Sequence, residues 1–410
     1  MGNRAPVVAL AATTTAGYGI LYYAYGVLLV PMEDDLGWSR PFLSAALSAG
    51  LVFGALLSVP VGRWLDRHPP RPLFLAGSVL SALLVVSWAS ARSPAVFLVT
   101  WVLLGAGQAV LFYEPAFTVL TKRFEGRDRH RAVTTVTLAG GLASTVFGPL
   151  TAALERWLEW RGAVLVLGGL LLGVTLPACW FGLRPGRPGS TGAGDRAAVA
   201  DSGRAPGEVL RSRPFLVLTV AYLLTAITTF AVPVHLVAFL RERGMGAGAA
   251  ATVLGGVGLV QVLGRTTFVR LTHRRLAVHL ATWVLAAKGA GVVALVVLPL
   301  WPGVVVFLAV YGAANGIGTL TRALTLADLY GPDHYGAISS ALGAVTAVGG
   351  AVAPFAAAAM ADVTGAGPVF LGLAALSVAA AACNEVVARP TRGVDEEVLD
   401  ADPAALSPGA

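Results

Sequence analysis

The chain has 410 residues, of which 56% are hydrophobic and only 12% charged, and its mean hydropathy is +0.74. Soluble domains carry about 25% charged residues, so this composition excludes an ordinary soluble enzyme or binding module and points to a chain that crosses a membrane many times. The formal charge of +7 does not indicate a nucleic-acid partner, because apart from Lys122 and Lys288 the basic residues are arginines scattered through short loops, with no basic helix or aromatic-interleaved patch.

In chain order, apolar segments recur at residues 7–30, 41–61, 73–91, 95–120, 132–154 and 162–183. Each is near the ~20 residues needed to cross ~30 Å of hydrocarbon. The polar stretch "LRPGRPGSTGAGDRAAVADSGRAPGEVLRSRP" follows, and then six more segments at 214–240, 249–270, 276–299, 303–327, 337–361 and 367–388. The expected fold is an all-α membrane protein with twelve transmembrane helices in two pseudo-symmetric six-helix bundles. Residues 1–183 form the first bundle, 184–213 a linker, 214–389 the second bundle and 390–410 a tail. The first segment is too long and too rich in Tyr and Thr for a cleaved signal peptide. The acidic tail, with "VDEEVLDAD", is expected to be disordered and solvated.

Twenty of the 29 basic residues fall in the termini, linker and loops of one side, and only six in the loops of the other. By the positive-inside rule both termini are cytoplasmic in a cell membrane. The remaining three, Arg265, Lys288 and Arg322, lie inside spans.

The halves repeat one another. "GAGQAVLFYEPAFTVLTKRFEG" in span 4 aligns with "GAANGIGTLTRALTLADLYG" in span 10, pairing Gly105 with Gly312 and Gln108 with Asn315 and bringing Glu114 within one position of Arg322. Such a duplication suggests two bundles that rock about a site near mid-membrane.

Between spans 2 and 3 stands "GRWLDRHPPRPL", which resembles the signature loop of the major facilitator superfamily, with Gly62, Asp66, Arg67 and Arg71 at its Gly, Asp, Arg and basic positions. The resemblance implies secondary transport of a small molecule by a protein without a cofactor, and a likeness to monomeric carriers. Asp66 then pairs with arginines and helix ends as a cytoplasmic latch. Pro69 and Pro70 replace the usual Gly and Arg, and stiffen the loop. Within the superfamily, "YGILYYAYGVLLVPMEDDLGWSR" and "GLVQVLGRTTF" are similar to the monocarboxylate and oxalate/formate transporters. This implies that Arg265 in span 8 binds a substrate carboxylate, with Tyr22, Tyr23 and Gln261 contacting the rest of a small organic anion. It also implies that Cys179 and Cys383, in spans 6 and 12, face lipid. Drug, metabolite or metalloid export is the alternative within the same superfamily.

Buried charges carry the remaining expectations, since each costs at least ~2.5–3.5 kcal/mol near mid-membrane unless it is paired, hydrated or close to an interface. Glu114 and Arg322 lie at a shared depth, so they form an ion pair across the cavity or Glu114 accepts a coupling proton. Arg265 either anchors an anion or snorkels to the cytoplasm. Lys288 is a structural lysine turned inward between helices or an alternative substrate cation, and His235 packs or titrates. The i, i+4 and i, i+7 spacing of Tyr18, Tyr22 and Tyr25 places these side chains on one face, lining a cavity or a packing seam. Gln108 and Asn315 are further candidate substrate contacts. No nucleophile and base or metal constellation appears among the six histidines, so an enzyme is not expected.

Overall fold

The computed structural model describes residues 4–124, 126–184, 210–271, 277–330 and 335–400. Among the described residues every regular element is helical and none is a strand. Lipid offers no partner to a backbone amide, and a helix satisfies its own. Span 1 is Ala5–Leu36, span 2 Arg40–Leu65, span 3 Pro70–Ser90 and span 4 Pro94–Arg123. Span 7 is Arg213–Glu242, span 8 Ala247–Leu271, span 9 Ala277–Val297, span 11 Tyr335–Thr364 and span 12 Ala366–Asp400. Span 10 has three pieces, Leu300–Phe307, a π-helical turn Leu308–Gly312, and Ala313–Tyr330.

Spans 5 and 6 share the 52-residue apolar stretch Arg131–Gly182. At 1.5 Å per residue it measures about 78 Å, over twice the hydrocarbon thickness. The chain reverses at Glu159, whose φ of 57° and ψ of 173° are non-helical, so this stretch crosses twice and the described residues make twelve crossings.

Ends are set by local chemistry. Ser39, Ser93 and Ser212 each accept a hydrogen bond from the amide three residues on, opening spans 2, 4 and 7. Spans 1 and 7, equivalent in the repeat, both stop where a glycine takes positive φ, Gly37 at 65° and Gly244 at 88°.

Packing follows the repeat. Span 2 packs on span 4 as span 8 packs on span 10, and span 3 on span 4 as span 9 on span 10. Spans 7 and 12 pack together, and Gly182 of span 6 lies against Ala5 and Ala9 of span 1 in the equivalent place. Between halves, span 2 meets span 11, span 5 meets span 8, and span 1 meets span 7. Each of these cross-half pairs maps onto itself or another when six is added to the span number, as a pseudo-twofold requires. Backbones touch where glycines remove the side chain, for a Cβ on Gly105 would stand 2.2 Å from the Gly50 carbonyl oxygen. Spans 3, 6, 9 and 12 carry exposed apolar side chains such as Leu83, Leu165, Trp283 and Val378, and form the lipid-facing flanks.

Three expectations change. Span 4 is not continuous, because Phe112 is extended (φ −85°, ψ −169°) and a new helix starts at Tyr113. The last helix continues to Asp400, into the tail read as disordered. Cys179 does not face lipid, since its Sγ is buried 3.3 Å from Thr13 Oγ1 of span 1, while Cys383 is partly buried. The small Gly182 and Ala9 nearby let spans 1 and 6 close over that sulfur.

Candidate functional site

The two ends of the bundle differ, and they are named here by residues they carry, the Arg40 face and the Lys122 face. At the Arg40 face the halves are tied together. Arg40 donates to Glu33 of span 1 at 2.9 Å and to Glu242 of span 7 at 2.5 Å. Deeper between the halves, the Ser48 hydroxyl accepts from the Phe355 amide at 3.1 Å, and Tyr22, near the middle of span 1, donates to the Phe230 carbonyl at 2.7 Å.

Further in, span 1 carries a π-helical turn at Gly19–Tyr23. One residue inserted into a turn rotates everything after it by about 100°. Tyr25 therefore leaves the face that α-helical spacing gave it. It is fully buried in the first half, donates to the Leu43 carbonyl at 2.6 Å and packs edge-on to Trp101. Tyr18 stacks on Phe112 with centroids 3.9 Å apart and lies 4.8 Å from Tyr113. Tyr22 and Tyr23 meet edge to face at 5.1 Å, and both lie near Tyr311 of span 10.

Span 4 breaks before "YEP" because Pro115 has no N–H to return to the helix above it. Glu114 consequently lies in the first turn of the helix Tyr113–Arg123, beside Tyr18, with its side chain exposed. A carboxylate there is favoured by the helix dipole and the free amides of that turn. Arg322 belongs to span 10, and its side chain lies outside the described residues, as do those of Asp66 and of residues 267–278.

Arg265 is 4% exposed. Its Nη1 donates to the Thr137 carbonyl of span 5 at 2.8 Å, and its Nε reaches the Gly316 carbonyl of span 10 at 3.4 Å. Tyr113 donates to the same Thr137 carbonyl at 3.3 Å and lies against the guanidinium, and Tyr23 stands within its field. Spans 8 and 10 come this close because Gly316 lacks a Cβ, which would sit 2.0 Å from the Gln261 carbonyl oxygen. Asn315 donates its amide to Gln261 Oε1 at 2.9 Å, so this candidate pair is mutually engaged next to Arg265.

Gln108 is separated from this group. It is 2% exposed within the first half, where it donates to the Leu21 carbonyl at 3.1 Å and lies close to Gly50 and Gly54 of span 2. His235 is buried and pairs with the Pro354 carbonyl at 2.8 Å. Lys288 turns inward from span 9, donates to Thr229 Oγ1 at 2.5 Å and lies 5.4 Å from the Tyr311 ring centre. At the Lys122 face, Lys122 donates to the Leu65 carbonyl in the last turn of span 2 at 2.8 Å. Arg71 lies 4.0 Å over the Trp180 ring, Arg67 is exposed, and Gly62 has open space beside it.

The structure thus gathers Tyr18, Tyr22, Tyr23, Glu114, Gln261, Arg265 and Asn315 around the seam between the halves. It adds Phe112, Tyr113, Thr137 and Tyr311, which sequence reading passed over. Pro115 was the available signal for the first two, whereas nothing local distinguishes Thr137. A cation held among phenols and backbone carbonyls, with one exposed carboxylate beside Tyr18 and Tyr113 at the same seam, suits recognition of a small polar solute.

Fold and site define a polytopic membrane protein of two pseudo-symmetric helical bundles with a polar seam between them. Residues 11–300 match the profile of the Major Facilitator Superfamily. The chain belongs to that family. It is 30% identical over 250 residues to monocarboxylate transporter 13 of Bos taurus, covering 60% of this chain and 55% of that protein. It is 28% identical over 329 residues to monocarboxylate transporter 4 of Mus musculus, covering 76% and 65%, and 27% identical over 250 residues to the oxalate:formate antiporter of Oxalobacter formigenes, covering 60% and 58%. The chain thus spans under two thirds of the length of these curated relatives. Among solved structures, a bacterial homologue of the human lysosomal transporter Spinster, inward-facing and occupied, aligns with a TM-score of 0.69 at 15% identity, over 93% of this chain and 96% of that one. That likeness speaks for the fold.

Proposed function

We propose that this protein is a secondary active transporter of a small organic anion, with Arg265 as the carboxylate anchor. The carrying observation is the buried guanidinium at the meeting point of spans 5, 8 and 10, touching both halves. Its five N–H donors form a fork suited to a carboxylate, and the carbonyls engage only part of it. An anion drawing Arg265 off Thr137 loosens one tie between the halves, which couples binding to alternating access. Tyr23, Tyr113, Gln261 and Asn315 supply the neutral polar contacts. The names of the relatives support an anionic substrate.

In this reading residues 1–183 and 214–389 are the moving bundles, 184–213 links them and 390–410 is a tail. The arginine bias puts the Lys122 face and both termini in the cytoplasm of a cell membrane, with a monomer as the working unit. Glu114 pairs with Arg322 or takes up a coupling proton. Gly62, Asp66, Arg67 and Arg71 form the cytoplasmic latch. A second reading, export of an organic cation, is favoured by the exposed Glu114 beside the Tyr18, Phe112 and Tyr113 rings.

The test is uptake into proteoliposomes of labelled monocarboxylates and of a lipophilic cation, with and without a pH gradient. The parent should move the anions, and Arg265→Lys, which keeps charge but loses the fork, should lose at least tenfold in anion affinity with normal insertion. Unchanged affinity in that variant, or transport of the cation alone, would overturn the anchor.

A further inference from the structure

Arg71, the last basic residue of the loop between spans 2 and 3, lacks a partner that answers its charge. It stands in the first turn of span 3, where the helix dipole and the free amides disfavour a cation. Its Nε is buried without a hydrogen-bond partner, and among the described residues its guanidinium meets neither a carboxylate nor a carbonyl. What it meets is the face of Trp180 near the end of span 6, 4.0 Å away. A ring attracts the cation but leaves the five N–H donors of the fork unused.

Two more arginines gather at the same helix end. Arg184, exposed just past span 6, has its guanidinium 5.4 Å from the Phe181 ring, and its carbonyl accepts from Arg123 Nη2 at 3.2 Å. Trp180 and Phe181 are 51% and 60% exposed on a lipid-facing flank. On this face of the first half, Asp128 is already paired with Arg131 at 4.0 Å, and the side chain of Asp66 lies outside the described residues.

The second half treats the same end of its flank differently. Asn384 and Glu385 follow Cys383 in span 12 as Trp180 and Phe181 closely follow Cys179 in span 6. Glu385 Oε2 lies 3.7 Å from His279 Nδ1 of span 9, and Asn384 donates to Thr282 at 3.0 Å. There the protein sets its own carboxylate against a basic side chain, whereas the first half presents arginines and rings to its surroundings. From that corner the flank runs on as exposed apolar side chains, Val174 of span 6 and Leu80 and Leu83 of span 3, about 9–18 Å along the helices from Trp180 and Arg71.

We propose that this corner binds an anionic phospholipid. Arg71 and Arg184 take its phosphodiester, Arg123 adds to the positive field, Trp180 and Phe181 meet its glycerol, and its acyl chains lie on the exposed side chains of spans 3 and 6. The occupant follows from the chemistry. A guanidinium fork matches phosphate oxygens in pairs, exposed tryptophan sits at headgroup level, and the apolar flank covers tails that a free phosphate does not have. A zwitterionic headgroup brings its own cation among these arginines, which repel it. The inference goes beyond the transport reading and does not rest on Arg265.

The experiment uses the purified full-length protein in neutral detergent. Native mass spectrometry reads the affinity of the first bound lipid for phosphatidylglycerol and for phosphatidylcholine with the same acyl chains, and glycerol 3-phosphate is the tail-free competitor. An arginine beside an anionic lipid headgroup contributes about fivefold to binding. The parent should therefore bind phosphatidylglycerol at least about tenfold more tightly than phosphatidylcholine, and equimolar glycerol 3-phosphate should not displace it. Arg71→Gln should weaken phosphatidylglycerol about fivefold, and its combination with Arg184→Gln about twenty-five-fold, with phosphatidylcholine unchanged within about twofold. Arg71→Lys, which keeps the charge, should lose less than Arg71→Gln. Arg213→Gln, which removes an exposed arginine at the start of span 7 on the same face, should bind as the parent does. Arg184→Gln alone serves should the Arg71 variants not fold, since that side chain is exposed beyond the helix end. A parent without preference between the lipids, equal loss of both in the variants, no loss in either, as large a loss in Arg213→Gln, or displacement by glycerol 3-phosphate would overturn the site.

Discussion

Substitution of Gly105 by alanine probes the packing on which the site depends. Its new Cβ would stand 2.2 Å from the Gly50 carbonyl oxygen and 2.9 Å from the Gly54 amide, both backbone atoms of span 2 that no rotamer change can move away. Carbon and oxygen rest at about 3.3 Å or more, so the helices must part by roughly 1.1 Å. A gap of that size forfeits a quarter to a half of each dispersion contact along the seam, and overpacking of this kind costs about 1–3 kcal/mol. Alanine returns about 0.5–1 kcal/mol through its better helix propensity. The net loss is about 1 kcal/mol at the centre of these ranges, or a fall of roughly 1–2 °C in melting temperature for a chain of this length, whose unfolding entropy scales with residue number. Gly169→Ala and Gly173→Ala on span 6 are matched controls, since a Cβ at either position meets nothing within 4 Å. Thermal unfolding of the three variants in one detergent compares them directly, with the controls at or above the parent. A Gly105→Ala protein that melts with the controls would refute backbone contact between spans 2 and 4.

Glu159 holds a backbone conformation that is essentially glycine's, with φ 57° and ψ 173°, at the exposed turn between spans 5 and 6. Glu159→Gly should relieve about 1–3 kcal/mol of strain and raise the melting temperature, and a lower one would contradict that geometry. Arg40 joins Glu33 to Glu242 across the halves with 22% of its side chain exposed, so each exposed pair contributes about 0.2–1 kcal/mol. In a background with both native cysteines replaced, Arg40→Gln should speed labelling of Ser48→Cys by an impermeant maleimide about two- to fivefold in intact cells, and an unchanged rate would mean that the triad does not hold this face shut.

By itself the sequence determined the solvent, the crossings and the repeat. Apolar length is a local property, and a run of ~20 such residues has one stable arrangement in lipid, so spans and helicity could be read without knowing any neighbour. Arg265, Gln261 and Asn315 were legible for a related reason, because a polar group inside such a run must meet others like it. The register of the tyrosines was not legible. Regular spacing puts Tyr18 and Tyr25 on one face, but the π-helical turn between them, shaped by packing against other spans, sends Tyr25 into the first half. Gln108 illustrates the same limit, since its alignment with Asn315 says nothing of the Leu21 carbonyl that claims it. The inward turn of Lys288, the backbone contact through Gly316 and the convergence of Tyr113 and Arg265 on one carbonyl all join residues far apart in the chain. Only tertiary structure decides such contacts, because hydrophobicity assigns a residue to the membrane, whereas its partners depend on how close neighbouring backbones can come.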